Sequence, residues 1–518
     1  MAIIDFFDRG WRVNSRGIAY VMDDRAYTFD EIGALSCRIA NGLVAAGFTR
    51  EAKGAVWAGN DPVAWSCTLG LWRAGMAWIP LNPRSPGGES ATLLEAFDCE
   101  VVFFQAAFAP LVDAVRSKLP NVRLWVCIDG DHTGAPSLDG WTAAQPATPP
   151  AIDYRMEDVV AVMPTGGTTG LPKGVMNTHR SVQTFVAHFM MAITYGGSER
   201  PVNLAAAPMT HTAGVLSLPC TARGGTVVVL PKPDPALLLK AIAQHRVTEF
   251  FLPPTVIYKL VDIPGIEKLD FSSLRYFLYG AAPMSVEKLK RAIEIFGPVM
   301  TGGYGQTEAP ASISFMRPDE HLVEGKLAPD TRLSSVGRPN PLVRVDILGG
   351  DGKPVAPGRT GEICVRGDLV MKGYYKQPDK TAETIVDGWL HTGDVGHLDA
   401  DGYLHITDRK KDMIISGGFN VYPNEVEQVI WAHPSVQDCA VIGVPDEKWG
   451  EAVKAVVELR PGATLDADAL IALCKEKLGS VKAPKTVDIV ETLPRSPVGK
   501  VLKKDLRETY WRGAARRI

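Results

Sequence analysis

Thr165-Gly166-Gly167-Thr168-Thr169-Gly170-Leu171-Pro172-Lys173-Gly174 is the stretch that decides the fold of this chain. It holds four glycines, three threonines and one lysine. Glycines let backbone N–H groups approach an anion closely, threonine hydroxyls add donors, and lysine adds a positive charge. The apolar run Val159–Met163 in front of it predicts a short buried strand. The stretch is therefore interpreted as a loop at a strand end that binds a polyphosphate.

This loop differs from a Walker A loop. Pro172 precedes Lys173, and Gly174 replaces the Ser or Thr that would hold Mg²⁺. Taken alone, the loop has a surface turn rich in glycine and threonine as its alternative interpretation. The rest of the sequence has to decide between these interpretations.

The bulk composition is that of a globular protein with several domains. A chain of 518 residues exceeds a single core. The formal net charge of −3 gives no argument for nucleic acid or an anionic membrane as partner. Eight cysteines are scattered singly, which favours reduced thiols over disulfides or a zinc site. The acidic N-terminus Met1–Arg9 does not resemble a signal peptide, and no apolar run is long enough for a transmembrane segment. We therefore expect a cytoplasmic protein.

Helical and strand-like patterns alternate over most of the chain, which predicts an α/β fold of layered parallel sheets and helices. An amphipathic helix follows Phe29, and buried strands are predicted near 55–58, 101–104 and 124–128. Residues 129–150 are rich in Pro, Gly, Ala and Thr and are interpreted as a long surface connection.

Two further units follow. Short strands with glycine and aspartate turns predict a β-rich subdomain over 340–408. The helical and strand-like patterns that follow are numerous enough to form a small domain of their own. We therefore predict a large N-terminal domain of residues 1–410 and a small α+β domain of residues 411–518.

Several other stretches could carry chemistry, although each alone is equally compatible with a structural turn. Gly302–Glu308 offers an aromatic face, a hydroxyl and a carboxylate. Gly388–Asp394 ends in a carboxylate that could accept two ribose hydroxyls. Arg409, in a short charged run, could reach the same sugar or a phosphate. Lys500 lies on a Pro/Gly-restrained loop near the C-terminus.

Taken together and in order, these motifs resemble those of the adenylate-forming superfamily. Its members include acyl-CoA synthetases, firefly luciferase and the adenylation domains of peptide synthetases. The resemblance runs from about Phe29 to Lys500 and also includes Ala74–Arg84, Gly361–Ile363 and Asp408–Asp412. It implies a ligase that joins a carboxylic acid to a thiol, with ATP, Mg²⁺ and coenzyme A, and a C-terminal domain that rotates between two half-reactions.

The resemblance also implies roles for individual residues. Tyr304 would pack on adenine, Thr307 would bind the α-phosphate, Glu308 would hold Mg²⁺, and Lys500 would bridge the carboxylate and the α-phosphate. His211 would lie near the reacting carboxylate, although a histidine satisfied in the core is the alternative. The remaining ATP-binding residues are Thr165, Gly166, Gly167, Thr168, Thr169, Gly170, Lys173, Gly280, Ala281, Ala282, Gly303, Gly305, Asp394 and Arg409.

For the acid and the thiol, the resemblance implies two further groups of residues. Gly417, Gly418 and Trp449 would line the passage for coenzyme A, and Lys411 would be the hinge. The acid pocket would comprise Phe185, either His188 or Phe189, His211, Phe251, Tyr279, Gly280, Gly302, Gly303 and Pro310.

These walls suit a hydrophobic monocarboxylic acid: an aryl, arylpropenoic or medium- to long-chain fatty acid. The Phe-Asp-x-Ser segment of amino-acid-activating members is absent, and only eighteen residues follow Lys500. Both observations favour a free-standing acyl-CoA ligase, with a small-molecule acid, ATP and coenzyme A as partners and a homodimer as one expected form. Transfer to a carrier protein, a luciferase-like monooxygenase and a non-catalytic binding protein are the alternatives. The identity of the acid cannot be read from the sequence.

Overall fold

A computed structural model of the chain describes residues 1–165, 173–496 and 500–512, without the side chains of His211 and Thr212. Helices and strands alternate through it as expected, so the predicted α/β class is confirmed. Among the helices of these residues, none has the length and apolar character that crossing a lipid bilayer would require.

The strands are short in most of the chain and longest near its C-terminus. In chain order they are β1 (Ile18–Met22), β2 (Arg25–Thr28), β3 (Lys53–Trp57), β4 (Ala77–Pro80), β5 (Cys99–Phe104), β6 (Leu124–Cys127), β7 (Val159–Thr165), β8 (Lys173–Thr178), β9 (Val202–Ala205), β10 (Thr226–Val229), β11 (Glu249–Leu252), β12 (Tyr276–Gly280), β13 (Met300–Gln306), β14 (Ala309–Met316), β15 (Leu322–Val323), β16 (Lys326–Leu327), β17 (Arg338–Pro339), β18 (Val343–Leu348), β19 (Gly361–Gly367), β20 (Gly373–Tyr374), β21 (Ile385–Val386), β22 (Trp389–Leu398), β23 (Leu404–Arg409), β24 (Ile414–Ser416), β25 (Phe419–Val421), β26 (Val436–Asp446), β27 (Gly450–Leu459) and β28 (Thr486–Val490).

Several helices begin at a residue that caps them. The Thr28 hydroxyl accepts a hydrogen bond from the Glu31 amide at the start of α2, and Asp61 does the same for Ala64 at the start of α3. The helices are α1 (Ile4–Val13), α2 (Phe29–Ala45), α3 (Pro62–Arg73), α4 (Gly87–Ala96), α5 (Ala109–Arg116), α6 (Leu138–Thr142), α7 (His179–Ala192), α8 (Gly214–Leu216), α9 (Leu218–Ala222), α10 (Pro235–His245), α11 (Pro254–Val261), α12 (Val286–Phe296), α13 (Asp330–Leu333), α14 (Pro378–Thr384), α15 (Pro423–Trp431), α16 (Ala467–Lys482) and α17 (Lys503–Trp511).

Two large sheets form the body of the protein. One has the strand order β17-β14-β13-β12-β11-β9-β10-β1-β2, and the other has the order β20-β8-β7-β4-β3-β5-β6. Neighbours from β13 to β1 in the first sheet, and from β7 to β6 in the second, run parallel. The predicted parallel sheets are thus confirmed, with antiparallel strands added at their edges.

The main core lies between the two sheets. It contains Phe103 of β5 and Val227 of β10 in one continuous apolar cluster. Trp65, Trp72 and Trp78 pack edge to face within it, with ring centroids 5.4–5.9 Å apart. The outer face of each sheet has a separate core, covered by α10–α12 on the first sheet and by α4 and α5 on the second. A side chain of β11 or β12 therefore points either between the sheets or toward α10–α12.

The remaining strands form two smaller sheets. β18, β19, β21, β22 and β23 make an antiparallel sheet, which agrees with the predicted β-rich subdomain. β24–β28 make another sheet, packed with α15 and α16 around its own apolar core. The chain enters this last unit directly after β23, while the exact domain boundary at 410/411 stays a prediction.

One sequence interpretation needs a correction. Residues 129–150 were expected to be a surface connection, but they include helix α6. Leu138 is fully buried there, and the Trp141 ring packs against Phe103, because this segment covers the end of α2. The helix was hidden by the high Pro, Gly and Ala content around it.

Candidate active site

The glycine loop is held by a β-hairpin. Thr165, the last residue of β7, pairs with Lys173, the first residue of β8. Residues 166–172 between them lie outside the described part of the chain, so the predicted ATP contacts of Gly166, Gly167, Thr168, Thr169 and Gly170 remain predictions. β7 is also parallel to β4, so Thr165, its last residue, lies at the carboxyl edge of that sheet, where α/β proteins bind ligands.

Tyr374 joins the end of this hairpin to Glu308. The Lys173 ammonium lies 4.5 Å from the centre of the Tyr374 ring, and the Tyr374 hydroxyl donates a 2.8 Å hydrogen bond to Glu308 Oε1. Burial and the nearby Glu308 carboxylate raise the pKa of Tyr374, which keeps its proton in place as a donor. Sequence reasoning missed this residue, although a tyrosine pair after Gly373 was visible.

Glu308 is the candidate magnesium ligand. Mg²⁺ is usually held by one or two carboxylates, with phosphate and water oxygens completing its octahedron. Glu308 is half-buried on the turn between β13 and β14, and the Tyr374 hydrogen bond engages one of its two carboxylate oxygens. No cluster of three or more His, Cys, Asp or Glu suited to a metal is found in the described residues. The Glu308 carboxylate, whose Oε2 lies outside the Tyr374 hydrogen bond, fits a single-carboxylate site for Mg²⁺ carried by a nucleotide.

Asp394 is the centre of a buried hydrogen-bond cluster and is only 4% exposed. Its Oδ2 accepts hydrogen bonds from the Tyr304 hydroxyl at 2.7 Å and from Gln306 Nε2 at 2.6 Å. Arg409 Nε lies 3.1 Å from Oδ1, since β22 and β23 pair these two residues directly. Burial and the Asp394 charge raise the pKa of Tyr304 well above its ordinary value. Three predicted ATP-binding residues thus meet here, and Gln306 joins them as a residue that sequence reasoning missed.

Two glycines pair on neighbouring strands next to Tyr304. Gly280, the last residue of β12, pairs with Gly303 of β13, and a Cβ on Gly280 would come within 2.5 Å of the Gly303 carbonyl oxygen, so the two backbones approach too closely for a side chain there. Ala281 follows with φ 66°, a left-handed conformation that directs the chain away from the strand end. The adenine-binding roles predicted for Gly280, Ala281, Ala282 and Gly303 stay predictions.

Thr307 and Gly305 lie on the same stretch. The Thr307 carbonyl accepts a 3.4 Å hydrogen bond from Asn177 Nδ2, which ties this turn to β8. A Cβ on Gly305 would come within 2.5 Å of the Ala311 amide nitrogen, so only glycine fits there. The backbone of the turn therefore fixes Thr307 between the hairpin of the glycine loop and the Asp394 cluster.

Lys500 reaches this cluster from the C-terminal unit. Its turn is closed by a 2.7 Å hydrogen bond from the Ser496 amide to the Lys500 carbonyl, and by one of 3.1 Å from the Lys500 amide to Ser496 Oγ. Lys500 as a whole residue is solvent-exposed, but protein atoms surround its ammonium group. Burial first and the Arg409 charge second lower the pKa of Lys500 to about 8, with Asp394 acting in the opposite direction. Lys500 and Asp394, which are more than 100 positions apart in the chain, therefore interact electrostatically.

The predicted hinge is fixed by the last helix. Arg507 of α17 donates a 3.1 Å hydrogen bond to the Lys411 carbonyl and pairs closely with Asp412. Burial lowers the pKa of Lys411, which lies among these charges. Lys503, also on α17, pairs with the buried Glu427 at 2.7 Å. These contacts fix helix α17, which follows Lys500 closely in the chain, to the start of the C-terminal unit and to α15.

Gly417, Gly418 and Trp449 lie together, as the predicted coenzyme A passage requires. The Gly417 amide donates a 2.8 Å hydrogen bond to the Trp449 carbonyl, and a Cβ on Gly417 would come within 2.6 Å of the indole. The indole of Trp449 is exposed, and so is Phe419, which follows Gly418 at the start of β25. The ammonium groups of Lys448 and Lys485 lie 4.9 and 5.6 Å from the centre of the indole ring. In this arrangement the surface is apolar with two cations at its edge.

The predicted acid pocket is only partly assembled by the described side chains. Two neighbouring cavities between the sheets share Asn203, Leu216 and Phe251. Each could hold about one water molecule. One cavity extends to Ala213, at the end of the π-helical turn Met209–Ala213, and the other extends to Phe189. The His211 side chain in that turn lies outside the description.

Other predicted pocket residues have different surroundings. Phe185 is buried behind Phe189, with ring centroids 4.7 Å apart, and so supports the cavity wall. His188, an alternative to Phe189 in the prediction, is buried and bonds Ser312 at 3.1 Å as a structural residue. Pro310 is half-buried on β14, and Gly302 lies on β13 with Gly303.

Tyr279 requires a correction. Its side chain belongs to the core on the outer face of the sheet, and its hydroxyl is 3.0 Å from His321 Nε2. Consecutive strand residues point to opposite faces, so it is the preceding residue, Leu278, that faces the cavity. The resemblance indicated the right segment but not the direction of the side chain.

Comparison with known proteins agrees with this geometry. A family model described as AMP-binding enzyme matches residues 7–375, and one described as AMP-binding enzyme C-terminal domain matches residues 425–500. The medium/long-chain-fatty-acid–CoA ligase FadD8 of Mycobacterium tuberculosis is 43% identical over 384 residues, which cover 72% of this chain and 65% of FadD8. A feruloyl-CoA synthase of an Amycolatopsis species is 37% identical over 488 residues, 94% of each chain.

Among solved structures, the amide bond synthetase McbA of Marinactinospora thermotolerans superimposes with a TM-score of 0.88 and 31% identity, over 98% of this chain and 100% of McbA. Residues 1–518 thus form an enzyme with the fold of adenylate-forming proteins. The chain belongs to the AMP-binding enzyme family and is of the acyl-CoA synthetase type. The predicted family and fold class are both confirmed.

Proposed function

We propose that this enzyme is an ATP-dependent ligase that joins a hydrophobic monocarboxylic acid to coenzyme A. The observation that supports it best is the Asp394–Arg409 pair, 3.1 Å apart, whose charges act on the ammonium group of Lys500 in the C-terminal unit. A cation of the C-terminal unit is thus directed to the predicted sugar-binding carboxylate of the other unit. Such a cation is suited to a reaction between two anions.

In the first half-reaction, a carboxylate oxygen of the acid attacks the α-phosphorus of ATP. A phosphorus–oxygen bond forms, the bond to the β-phosphate breaks, and pyrophosphate leaves with the electron pair. The reactants are both anionic, so positive charge and oriented donors lower the barrier without a protein nucleophile. Lys500 would neutralise charge between the carboxylate and the α-phosphate, and Lys173 would hold the leaving pyrophosphate.

Two groups would position the nucleotide. Asp394 would accept hydrogen bonds from the ribose hydroxyls in place of some of its present donors, while the Arg409 ion pair keeps the carboxylate aligned. Mg²⁺, held by Glu308, would supply positive charge at the polyphosphate. The Tyr374 hydrogen bond would orient Glu308 toward it.

In the second half-reaction, the thiolate of coenzyme A attacks the acyl carbonyl carbon of the acyl adenylate, and AMP leaves. Lys500 has no part in this step. We propose that residues 411–518 rotate about Lys411, which withdraws Lys500 and brings Gly417, Gly418 and Trp449 to the site. The exposed apolar surface at Trp449 suits a pantetheine arm, and Lys448 and Lys485 suit the phosphates behind it.

The cavity walls support a hydrophobic acid as the substrate. Phe189, Phe251, Leu216 and Leu278 are apolar, so an aryl, arylpropenoic or medium- to long-chain fatty acid fits them. The names of FadD8 and of the feruloyl-CoA synthase describe a fatty acid and an arylpropenoic acid, respectively. Leu216 and Phe251 must move to join the two small cavities when such an acid binds.

The test is to incubate the purified enzyme with ATP, Mg²⁺ and a panel of aryl, arylpropenoic and fatty acids. Pyrophosphate release that depends on the acid, followed by thioester that depends on coenzyme A, is the expected result. Pyrophosphate release without acid, or acyl adenylate that never yields a thioester, would contradict the proposal. Lys500→Ala should lower acyl adenylate formation at least about 100-fold, while Lys353→Ala, at an exposed turn, serves as its control.

The choice of acceptor is tested in the same assay. Coenzyme A should be used in preference to an acyl carrier protein, to an amine of the kind an amide bond synthetase would use, and to molecular oxygen. A homodimer and a cytoplasmic location are retained as predictions, to be checked by sedimentation and by fractionation of the native host.

A further inference from the structure

Glu249 is a buried carboxylate that the reaction described above does not use. It is 3% exposed and begins strand β11, whose other residues are Phe250, Phe251 and Leu252. A charged residue in such an apolar strand is costly to bury unless its oxygens are hydrogen-bonded. The Tyr195 hydroxyl donates to Oε2 at 2.8 Å, and Asn203 Nδ2 donates to Oε1 at 3.1 Å.

Glu249 also lines one of the two cavities of the proposed acid pocket. Phe251, two residues further along the strand, lines both cavities, because alternate residues of a strand share one face. Leu278 of β12 lies on the same wall. The carboxylate therefore forms one end of an otherwise largely apolar space.

The strand register gives the distance from this carboxylate to the nucleotide site. Glu249 pairs with Tyr276 on β12, and Gly280 follows four residues later at the carboxyl end of that strand. At about 3.3 Å per residue, the two levels are separated by about 13 Å. An acid whose carboxylate reacts beside Gly280 would thus extend toward Glu249.

The hydrogen-bonding capacity of Glu249 is not exhausted by its two donors. An ionised carboxylate can accept about four hydrogen bonds, and Tyr195 and Asn203 supply two. The Tyr195 hydroxyl is itself held by Thr248 at 3.1 Å, so this arrangement is fixed before any acid binds. A preorganised acceptor at the end of an apolar cavity recognises a donor on a ligand.

We propose that Glu249 determines specificity by accepting a hydrogen bond from a hydroxyl at the far end of the acid. The favoured substrate is then an elongated, mostly apolar monocarboxylic acid with a terminal hydroxyl, such as a hydroxylated arylpropenoic acid. This inference rests on the proposed function, since it concerns the acid that the same site activates.

The experiment compares cinnamic acid with para-hydroxycinnamic acid, a pair that differs by the terminal hydroxyl. We expect kcat/KM for thioester formation to be about tenfold higher for the hydroxylated acid, as for one hydrogen bond to a charged group. In Glu249→Gln, the ratio of the two kcat/KM values should fall several-fold toward one.

Two tyrosine variants provide a matched comparison that does not depend on Glu249→Gln folding. Tyr195→Phe removes a donor from Glu249 and leaves the carboxylate, so the preference for the hydroxylated acid should be kept or increased. Tyr276→Phe alters the adjacent ring, whose hydroxyl bonds Thr194 rather than Glu249, and should leave the preference unchanged.

The outcomes separate this inference from the proposed function. If both acids form thioesters with equal kcat/KM in the unaltered enzyme, or if a folded Glu249→Gln keeps the full ratio, the role of Glu249 is refuted and the ligase stands. If no acid of the wider panel yields a thioester, both are refuted.

Discussion

The lowered pKa of Lys500 makes the first half-reaction sensitive to pH in a range where lysine is ordinarily fully charged. With a pKa of about 8, Lys500 is about 90% protonated at pH 7 and about 10% protonated at pH 9. The protonated ammonium is the form that stabilises the reacting anions. We therefore expect kcat/KM for acyl adenylate formation to fall about tenfold between these pH values.

ATP–pyrophosphate exchange at low acid concentration measures this quantity, because kcat/KM reports the ionisation of the free enzyme. The comparison variant is Lys500→Arg, whose guanidinium stays charged throughout this range. Its activity will be lower, but its profile should lose the decline near pH 8. Asp412→Asn removes a carboxylate that raises the Lys500 pKa, so in that variant the decline should move to lower pH.

Two results would refute this reasoning. One is a flat profile for the unaltered enzyme from pH 7 to 9.5. The other is an unchanged decline in Lys500→Arg, which would assign the titration to another group. As a further check, thioester formation from supplied acyl adenylate should be spared in Lys500→Ala, because Lys500 acts only before the proposed rotation.

Three further predictions concern other parts of the molecule. Tyr374→Phe should lower the rate of acyl adenylate formation about 3- to 10-fold and raise the Mg²⁺ concentration needed for activity, because Glu308 loses its orienting donor. The control is Tyr375→Phe, since the Tyr375 hydroxyl bonds Asp98 instead. An equal loss of rate in both variants would contradict the role of Tyr374. Arg507→Ala should weaken the first half-reaction more than the second in single-turnover assays, since it releases the Lys411 hinge; equal effects on both steps would speak against this. Trp72→Ala should lower the free energy of unfolding by about 3–5 kcal/mol in urea titrations. Trp449→Ala, at an exposed site, should cost less than about 0.5 kcal/mol but raise the KM for coenzyme A; similar losses of stability would contradict the burial argument.

Local patterns in the sequence predicted the elements and their order well. Short apolar runs located β5, β7 and β11, and the helical spacing of apolar residues located α2, because these signals depend on near neighbours in the chain. The missed helix α6 shows the limit of this approach. Its composition indicated a loop, and burial of Leu138 against the rest of the fold outweighed local preference.

The candidate site was predicted in the same uneven way. Motif resemblance indicated Tyr304, Asp394, Arg409 and Lys500, and the structure brings all four together. It did not indicate Gln306 or Tyr374, whose roles arise from contacts across 88 and 66 positions of sequence. Tyr279 was assigned to the pocket although its side chain faces the other core.

By itself, the sequence determined that this chain is an adenylate-forming ligase, because the chemistry of ATP requires particular residue types at particular points along the chain. The tertiary structure decided which neighbours tune those residues and what shape the acid meets. Parallel strands brought Glu249 onto the wall of the same cavity as Phe251 and Leu278. Packing of the C-terminal unit lowered the pKa of Lys500, first by burial and second by the charge of Arg409. Both effects depend on direction and distance between remote segments, and only packing of the whole chain fixes these.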